Sequence, residues 1–222
     1  MSIKYIYFDL ADTLIVKEGL FFGIQNILHS YSYARDIRTI QRAHYTARSL
    51  SVLPDRPNID FYRNFNKIVL SQLNILDNIN IISNNIIDMC LNLKWKTFDD
   101  SFILGNLMLP YGLISNWDKN IHEVISELLP YNFSHVLCSE LVGLAKPDIK
   151  FYEKAISLAG VMPFEILYIG DSLHLDIVPA ASIGITSVLL DRDHLYDDYI
   201  GLKVNSLNDI NLFLTLGGNC HG

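Results

Sequence analysis

The 222 residues suffice for a substantial buried core, and a composition that is half hydrophobic and 18% charged is that of a globular chain rather than a disordered one. A formal net charge of -7 speaks against a general nucleic-acid binder, which would carry a basic surface. No apolar run reaches the roughly 18 residues that a membrane-spanning helix needs, and Met1-Ser2-Ile3-Lys4 leads into an apolar stretch without the regions of a signal peptide, so a cytoplasmic location is expected.

In chain order, Tyr5-Ile6-Tyr7-Phe8 is an apolar run that stops at Asp9 and passes into a short polar turn, the pattern of a buried strand delivering a carboxylate to its C-terminal end. Residues 12–23 read as a turn and short flap with Gly19 and Gly23. From Gly23 to Leu93 the apolar residues recur at helical spacing, as in Ile24, Ile27, Leu28 and Tyr31, or Phe61, Phe65, Ile68, Val69 and Leu73. This stretch is expected to be a helical insertion, broken at Pro54 and Pro57 and again across the Asn-rich segment from Asp77 to Asn85. Residues 94–110 read as the return linker.

Beyond the linker, strands and helices alternate: strand 111–115 and helix 119–129, strand 134–138 and helix 148–159, strand 165–170 and helix 174–183, strand 186–190 and a terminal helix near 206–214. Such alternation predicts an α/β fold, a Rossmann-like parallel sheet with right-handed crossovers. Asp148 and Ser172 are expected N-caps, and Gly160 and Gly184 helix stops. The predicted domains are a core of 1–16 with 94–222 and a helical insertion of 17–93. Cys90, Cys138 and Cys220 share no metal-ligand spacing and are expected to be reduced thiols.

Three later strand ends resemble the first in carrying chemistry. They are Ser115-Asn116 after Tyr111-Gly112-Leu113-Ile114, Lys146 in Gly143-Leu144-Ala145-Lys146-Pro147-Asp148, and Asp171-Ser172 after Ile166-Leu167-Tyr168-Ile169-Gly170. Singly, each is an ordinary turn or loop signal. Together and in this order, a carboxylate, a hydroxyl, an ammonium and a second carboxylate resemble the four signature motifs of the haloacid dehalogenase-like hydrolases.

The resemblance covers nearly the whole chain and implies a C1-type cap for the helical insertion. Segments 113–118 and 139–148 look most like the phosphatase branch of that superfamily. It implies Asp9 as the nucleophile that forms an aspartyl-phosphate, with Ser115 and Lys146 gripping the phosphoryl oxygens. Mg²⁺ is the implied cofactor, held by Asp9, the backbone carbonyl of Ala11 and Asp171, with Asp176 either at the metal or orienting Lys146. Asp12 and Asn116 are the implied substrate contacts in the core. The expected activity is phosphomonoester hydrolysis on a small phosphorylated metabolite, with neither nucleic acid nor membrane as partner.

Two features qualify that expectation. Ala11 stands where family phosphatases usually carry the Asp that is general acid and then base, and loss of such help typically costs about 10² to 10⁴ in rate. An Asp-to-Ala replacement of a common first motif, natural variation in a slow or non-catalytic binding branch, and likeness to phosphonoacetaldehyde hydrolases are the open readings. The last wants a cap lysine, where this chain reads His44-Tyr45-Thr46-Ala47-Arg48-Ser49-Leu50. True haloacid dehalogenases match less well, since they tend to lack the acidic pair formed here by Asp171 and Asp176. The second feature is a cluster of arginines, Arg35, Arg38, Arg42, Arg48, Arg56 and Arg63. Arg35, Arg38 and Arg42 are expected on one helical face, either as a solvated face or, for Arg38 and Arg42, as contacts to further acidic groups of the substrate.

Overall fold

A computed structural model describes residues 2–51 and 58–215. The chain divides into two compact units: Lys17–Lys96 forms one, and the chain on either side, up to Val16 and from Thr97, forms the other. Pro54, Pro57, Arg56 and Cys220 lie outside the described residues.

The discontinuous unit is an α/β sandwich. Strands β1 (Tyr5–Phe8), β4 (Tyr111–Ser115), β5 (His135–Cys138), β6 (Ile166–Gly170), β7 (Thr186–Leu190) and β8 (Lys203–Val204) form one sheet, ordered β5-β4-β1-β6-β7-β8. Every neighbouring pair is parallel. The order runs outward from β1 on both sides, which makes its C-terminal end the switch point where open α/β sheets bind ligands. Strands β1, β4 and β6 are buried along their whole length, as a sheet covered on both faces requires. Tyr7, Tyr168, Phe151, Tyr152 and Ile114 fill one side of the core, and the Tyr7 hydroxyl, too deep for water, donates to the carbonyl of Ala155 at 2.9 Å.

The crossovers are short. They comprise α5 (Ile121–Leu128), α6 (Ser139–Val142), α7 (Ile149–Ala159) and α8 (Val178–Ser182), with α9 (Asn211–Thr215) at the end. Asp148 caps α7 by accepting from the Lys150 N–H at 2.9 Å, and Gly160 closes it with φ 65°. The predicted helix 174–183 is a composite: its first turn, Leu173–Ile177, is a π turn, and regular α-geometry begins only at Val178. The predicted terminal helix is likewise split, into a 3₁₀ turn over Leu207–Ile210 and then α9. Strand β8, two residues long, went unpredicted because it is too short to show alternation.

The continuous unit holds α1 (Leu20–Ser30), α2 (Ile37–Leu50), α3 (Ile59–Gln72) and α4 (Ile79–Asn92) around an apolar core that includes Ile24, Leu28, Ile40, Leu70 and Ile82. Strands β2 (Ile15–Lys17) and β3 (Trp95–Thr97) pair as a ribbon where the chain enters and leaves it. The expected break across Asp77–Asn85 is wrong for most of its length. Asn74 and Asn78 take left-handed backbone angles and turn the chain, but from Ile79 the Asn-rich stretch is helix. Ile82, Ile86 and Ile87 are buried at helical spacing there, and their packing overrides the poor intrinsic propensity of asparagine.

Among the described residues no helix is long and apolar enough to cross a membrane.

Candidate active site

The β1·β6 ladder runs one residue past the strand, because the Asp9 N–H donates to the Ile169 carbonyl at 2.9 Å. That bond fixes the backbone of Asp9 at the sheet edge, and the chain then turns. Leu14 and Ile15 return N–H bonds to the Leu10 carbonyl, at 2.8 and 3.0 Å. Within the turn Asp12 has a left-handed φ of 61° and is half-buried, and Thr13 is buried with its hydroxyl 3.4 Å from Asp9 Oδ2.

Lys146 comes from the loop between α6 and α7 and is 4% exposed. Its ammonium lies 2.5 Å from Asp9 Oδ1, 2.6 Å from Asp176 Oδ1 and 3.3 Å from the Tyr168 hydroxyl. Asn116, expected at the substrate, instead uses both ends of its amide on the backbone of Lys146: Oδ1 accepts from the N–H at 2.8 Å and Nδ2 donates to the carbonyl at 2.9 Å. In that arrangement Asn116 holds the lysine loop against the end of β4. Ser115, the last residue of β4, is buried there.

Asp176 lies in the π turn after β6, a distortion that often marks functional sites. Ser172 caps this turn, accepting from the Leu175 N–H at 3.2 Å. Gly170 is required by the same geometry, since a Cβ on it would sit 2.5 Å from the Asp176 carboxyl carbon. Asp176 Oδ2 accepts from the Ser172 N–H at 3.0 Å, while Oδ1 receives both Lys146 and the Tyr168 hydroxyl, the latter at 2.7 Å. Both oxygens are thus engaged by protein donors, which suits orientation of Lys146 better than direct ligation of a cation.

Asp9, Asp171 and Asp176 are all buried, each with a carboxylate oxygen within 4.8 Å of the others. Two of them, Asp9 and Asp176, bond the Lys146 ammonium. Burial is the main cause that pushes Asp9 up to about 7, and the negative fields of Asp176 and Asp171 add to it against the pull of Lys146. Burial disfavours the charged form of Lys146 too, but the carboxylates of Asp176 and Asp9 outweigh it and hold the ammonium above its usual range. An all-oxygen set of clustered carboxylates is the environment a hard divalent cation fits, and Mg²⁺ is such a cation.

Two contributors escaped the sequence reading. Tyr168 looks like an ordinary strand aromatic, yet its hydroxyl reaches the centre of the cluster. Arg192, just beyond β7, donates from one guanidinium nitrogen to the Thr13 carbonyl at 2.8 Å and from both terminal nitrogens to Asp100, at 2.7 and 2.8 Å. It also stacks 3.9 Å over the Phe98 ring centre. This arginine braces the turn that carries Asp9, and only a contact 92 residues away in sequence reveals it.

In the helical unit Arg38 and Arg42 are exposed on α2. Arg35 does not share their face. It precedes the N-cap Asp36, and its guanidinium is bound to the Leu73 carbonyl at 2.8 and 3.1 Å. His44 is a packing residue, set edge-on to Phe21 and Phe65, and burial, with Arg48 nearby, lowers it to about 3.

The sequence model of the family described as "Haloacid dehalogenase-like hydrolase" matches residues 104–190, the segment that holds Ser115, Lys146, Asp171 and Asp176. Over that segment the chain is similar to the haloacid dehalogenase-like hydrolases. A Xenopus laevis haloacid dehalogenase-like hydrolase domain-containing protein 3 is 35% identical over 86 residues, 38% of this chain and 35% of that one. The glyceraldehyde 3-phosphate phosphatase of Methanocaldococcus jannaschii is 32% identical over 101 residues, 44% of this chain and 42% of that enzyme. The chain thus spans less than half the length of each of these relatives. In fold, the chain is similar over 97% of its length to all of the HAD-hydrolase YfnB of Bacillus subtilis, a structure bound to magnesium, with a TM-score of 0.68 at 14% identity.

Proposed function

We propose that this chain is a Mg²⁺-dependent phosphomonoesterase that works through an aspartyl-phosphate on Asp9 and acts on a small phosphorylated metabolite. The observation that carries the reading is the buried ammonium of Lys146 held 2.5 Å from Asp9, with Asp171 and Asp176 alongside, at the C-terminal edge of a parallel sheet. The names of the phosphatase relative and of the magnesium-bound neighbour support it.

In this reading an Asp9 oxygen bonds to phosphorus as the bond from phosphorus to the leaving oxygen breaks. The leaving oxygen takes its proton from water. A second water then attacks the same phosphorus, which frees inorganic phosphate and restores the Asp9 carboxylate. Lys146 and Ser115 hold phosphoryl oxygens through both steps. Asp9, Asp171 and the Ala11 carbonyl would hold Mg²⁺, which would supply the positive charge that lets a carboxylate meet a phosphate. The helical unit is proposed as the part that sets substrate choice, with Arg38 and Arg42 meeting further acidic groups.

The methyl of Ala11 favours one second reading, a non-catalytic protein that binds phosphate and Mg²⁺. Hydrolysis of an aryl phosphate with Mg²⁺, by this chain and by Ala11→Asp, tests between them. Aryl leaving groups need little protonation, so the phosphatase reading predicts turnover by both, raised about 10² to 10⁴ in Ala11→Asp for alkyl phosphates. No turnover by either favours the binding protein.

A further inference from the structure

The three hydrogens of the Lys146 ammonium have three acceptors within 3.3 Å: Asp9 Oδ1, Asp176 Oδ1 and the Tyr168 hydroxyl oxygen. An ammonium has three donors and no more, so gripping a phosphoryl oxygen requires it to release one of these partners. Releasing Asp9 Oδ1, on a carboxylate only 3% exposed, would leave a charged acceptor bare, which is costly. Asp176 Oδ1 is the exception, because a second donor already sits on it.

The proton positions follow from the donor inventory. A lysine ammonium only donates, so it donates to the phenol oxygen at 3.3 Å. The ionised carboxylate only accepts, so the phenol proton points at Asp176 Oδ1, 2.7 Å away. Tyr168 has no freedom to turn elsewhere. Its ring is fully buried at the centre of β6 and packs edge-on against Tyr152, with centroids 5.7 Å apart. Burial, with the negative field of Asp176, holds the phenol well above its usual range, so it stays a donor at any working pH.

Building on the phosphatase reading, we propose that Tyr168 is a positioning residue: its hydroxyl keeps Asp176 Oδ1 covered when Lys146 turns from Asp176 to a phosphoryl oxygen. The phenol thus sets how readily the lysine is released to bind an oxyanion. It touches neither substrate nor cation. Its removal is therefore expected to weaken oxyanion binding while leaving the affinity for Mg²⁺ alone unchanged.

The test is calorimetric binding of orthovanadate, a phosphoryl mimic, in saturating Mg²⁺, together with Mg²⁺ binding alone, for the parent chain and Tyr168→Phe. Phenylalanine keeps the ring packing and deletes only the hydroxyl. The expected result is a loss of vanadate affinity of about tenfold, the scale of one hydrogen bond to a charged group, with Mg²⁺ affinity within about twofold. Tyr7→Phe is the control for mere packing, since that hydroxyl bonds the Ala155 carbonyl in the same core, and it should leave vanadate affinity where it was. Replacing Tyr168 by 3-fluorotyrosine, a stronger donor of nearly the same shape, should shift vanadate affinity in the opposite direction and keeps the test open if Tyr168→Phe does not fold. Equal vanadate affinities in parent, Tyr168→Phe and 3-fluorotyrosine protein overturn the role of Tyr168 and leave the phosphatase reading intact. Absence of Mg²⁺-dependent vanadate binding in the parent chain overturns that reading, and the role of Tyr168 with it.

Discussion

The two units treat charge in opposite ways. Among the described residues of the helical unit the buried polar side chains are Asn66 and Ser83, neither charged, whereas the sheet unit buries Asp9, Asp100, Lys146, Asp171, Asp176 and Asp191. Burying a charge costs stability unless it is paired and fully hydrogen-bonded. The sheet unit meets that condition with Lys146 between Asp9 and Asp176, and with Arg192 on Asp100, and most of this charge collects at one edge of the sheet. A fold that only needed to be stable would look like the helical unit throughout. The contrast accords with the chemistry proposed for that edge.

Breaking the central ion cluster should have the largest effect. Lys146→Met leaves the buried carboxylates of Asp9 and Asp176 without their cation, so it should lower unfolding free energy by about 4 kcal/mol in denaturant titrations and abolish oxyanion binding. In the helical unit a comparable loss needs a cavity, because no ion pair is buried there among the described residues. Ile82→Ala, at a side chain 0% exposed, should cost about 3 kcal/mol and leave the pH dependence of stability unchanged.

The brace behind the Asp9 turn should follow. Burial pushes the Asp100 carboxyl up, but bonds from Arg192, Ser206 and the Leu207 N–H more than offset it and hold the group below the usual carboxylate range. A depressed carboxylate contributes stability above its unfolded value, and that contribution is lost as pH falls through the folded one. Asp100→Asn should therefore lose about 2 kcal/mol at pH 7, and its stability should approach that of the parent as pH falls below the usual carboxylate range. The smallest change in stability is expected at the exposed arginines of α2. Arg38→Ala with Arg42→Ala should shift unfolding by less than about 0.5 kcal/mol, while KM for the natural substrate rises and kcat holds.

The same contrast explains what the sequence made legible. Buried strands ending in a charged or hydroxyl residue announce themselves, so Tyr111–Ser115 and Thr186–Leu190 were read to the residue and the cluster of Asp9, Lys146, Asp171 and Asp176 was anticipated as a group. Elements decided by packing were harder: Asn84 and Asn85 suggest a break where Ile82, Ile86 and Ile87 enforce a helix. Roles decided by distant contacts were invisible. Tyr168 differs from any strand tyrosine only in what faces its hydroxyl, and Arg192 only in meeting Thr13 and Asp100 across the fold. Arg35 was misplaced because its neighbour Asp36 caps α2, a boundary one residue too fine for apolar spacing to show.

Asp9, supported by Lys146, Asp171 and a divalent cation, is proposed to accept a phosphoryl group. Beryllofluoride mimics a phosphoryl group on a carboxylate without requiring turnover, so ¹⁹F NMR with Mg²⁺ and beryllofluoride tests that role whether or not Ala11 slows the chemistry. A protein-bound fluoride resonance that needs Mg²⁺ and disappears in Asp9→Asn is expected. A spectrum with free fluoride species alone, or a bound resonance that survives in Asp9→Asn, would contradict it.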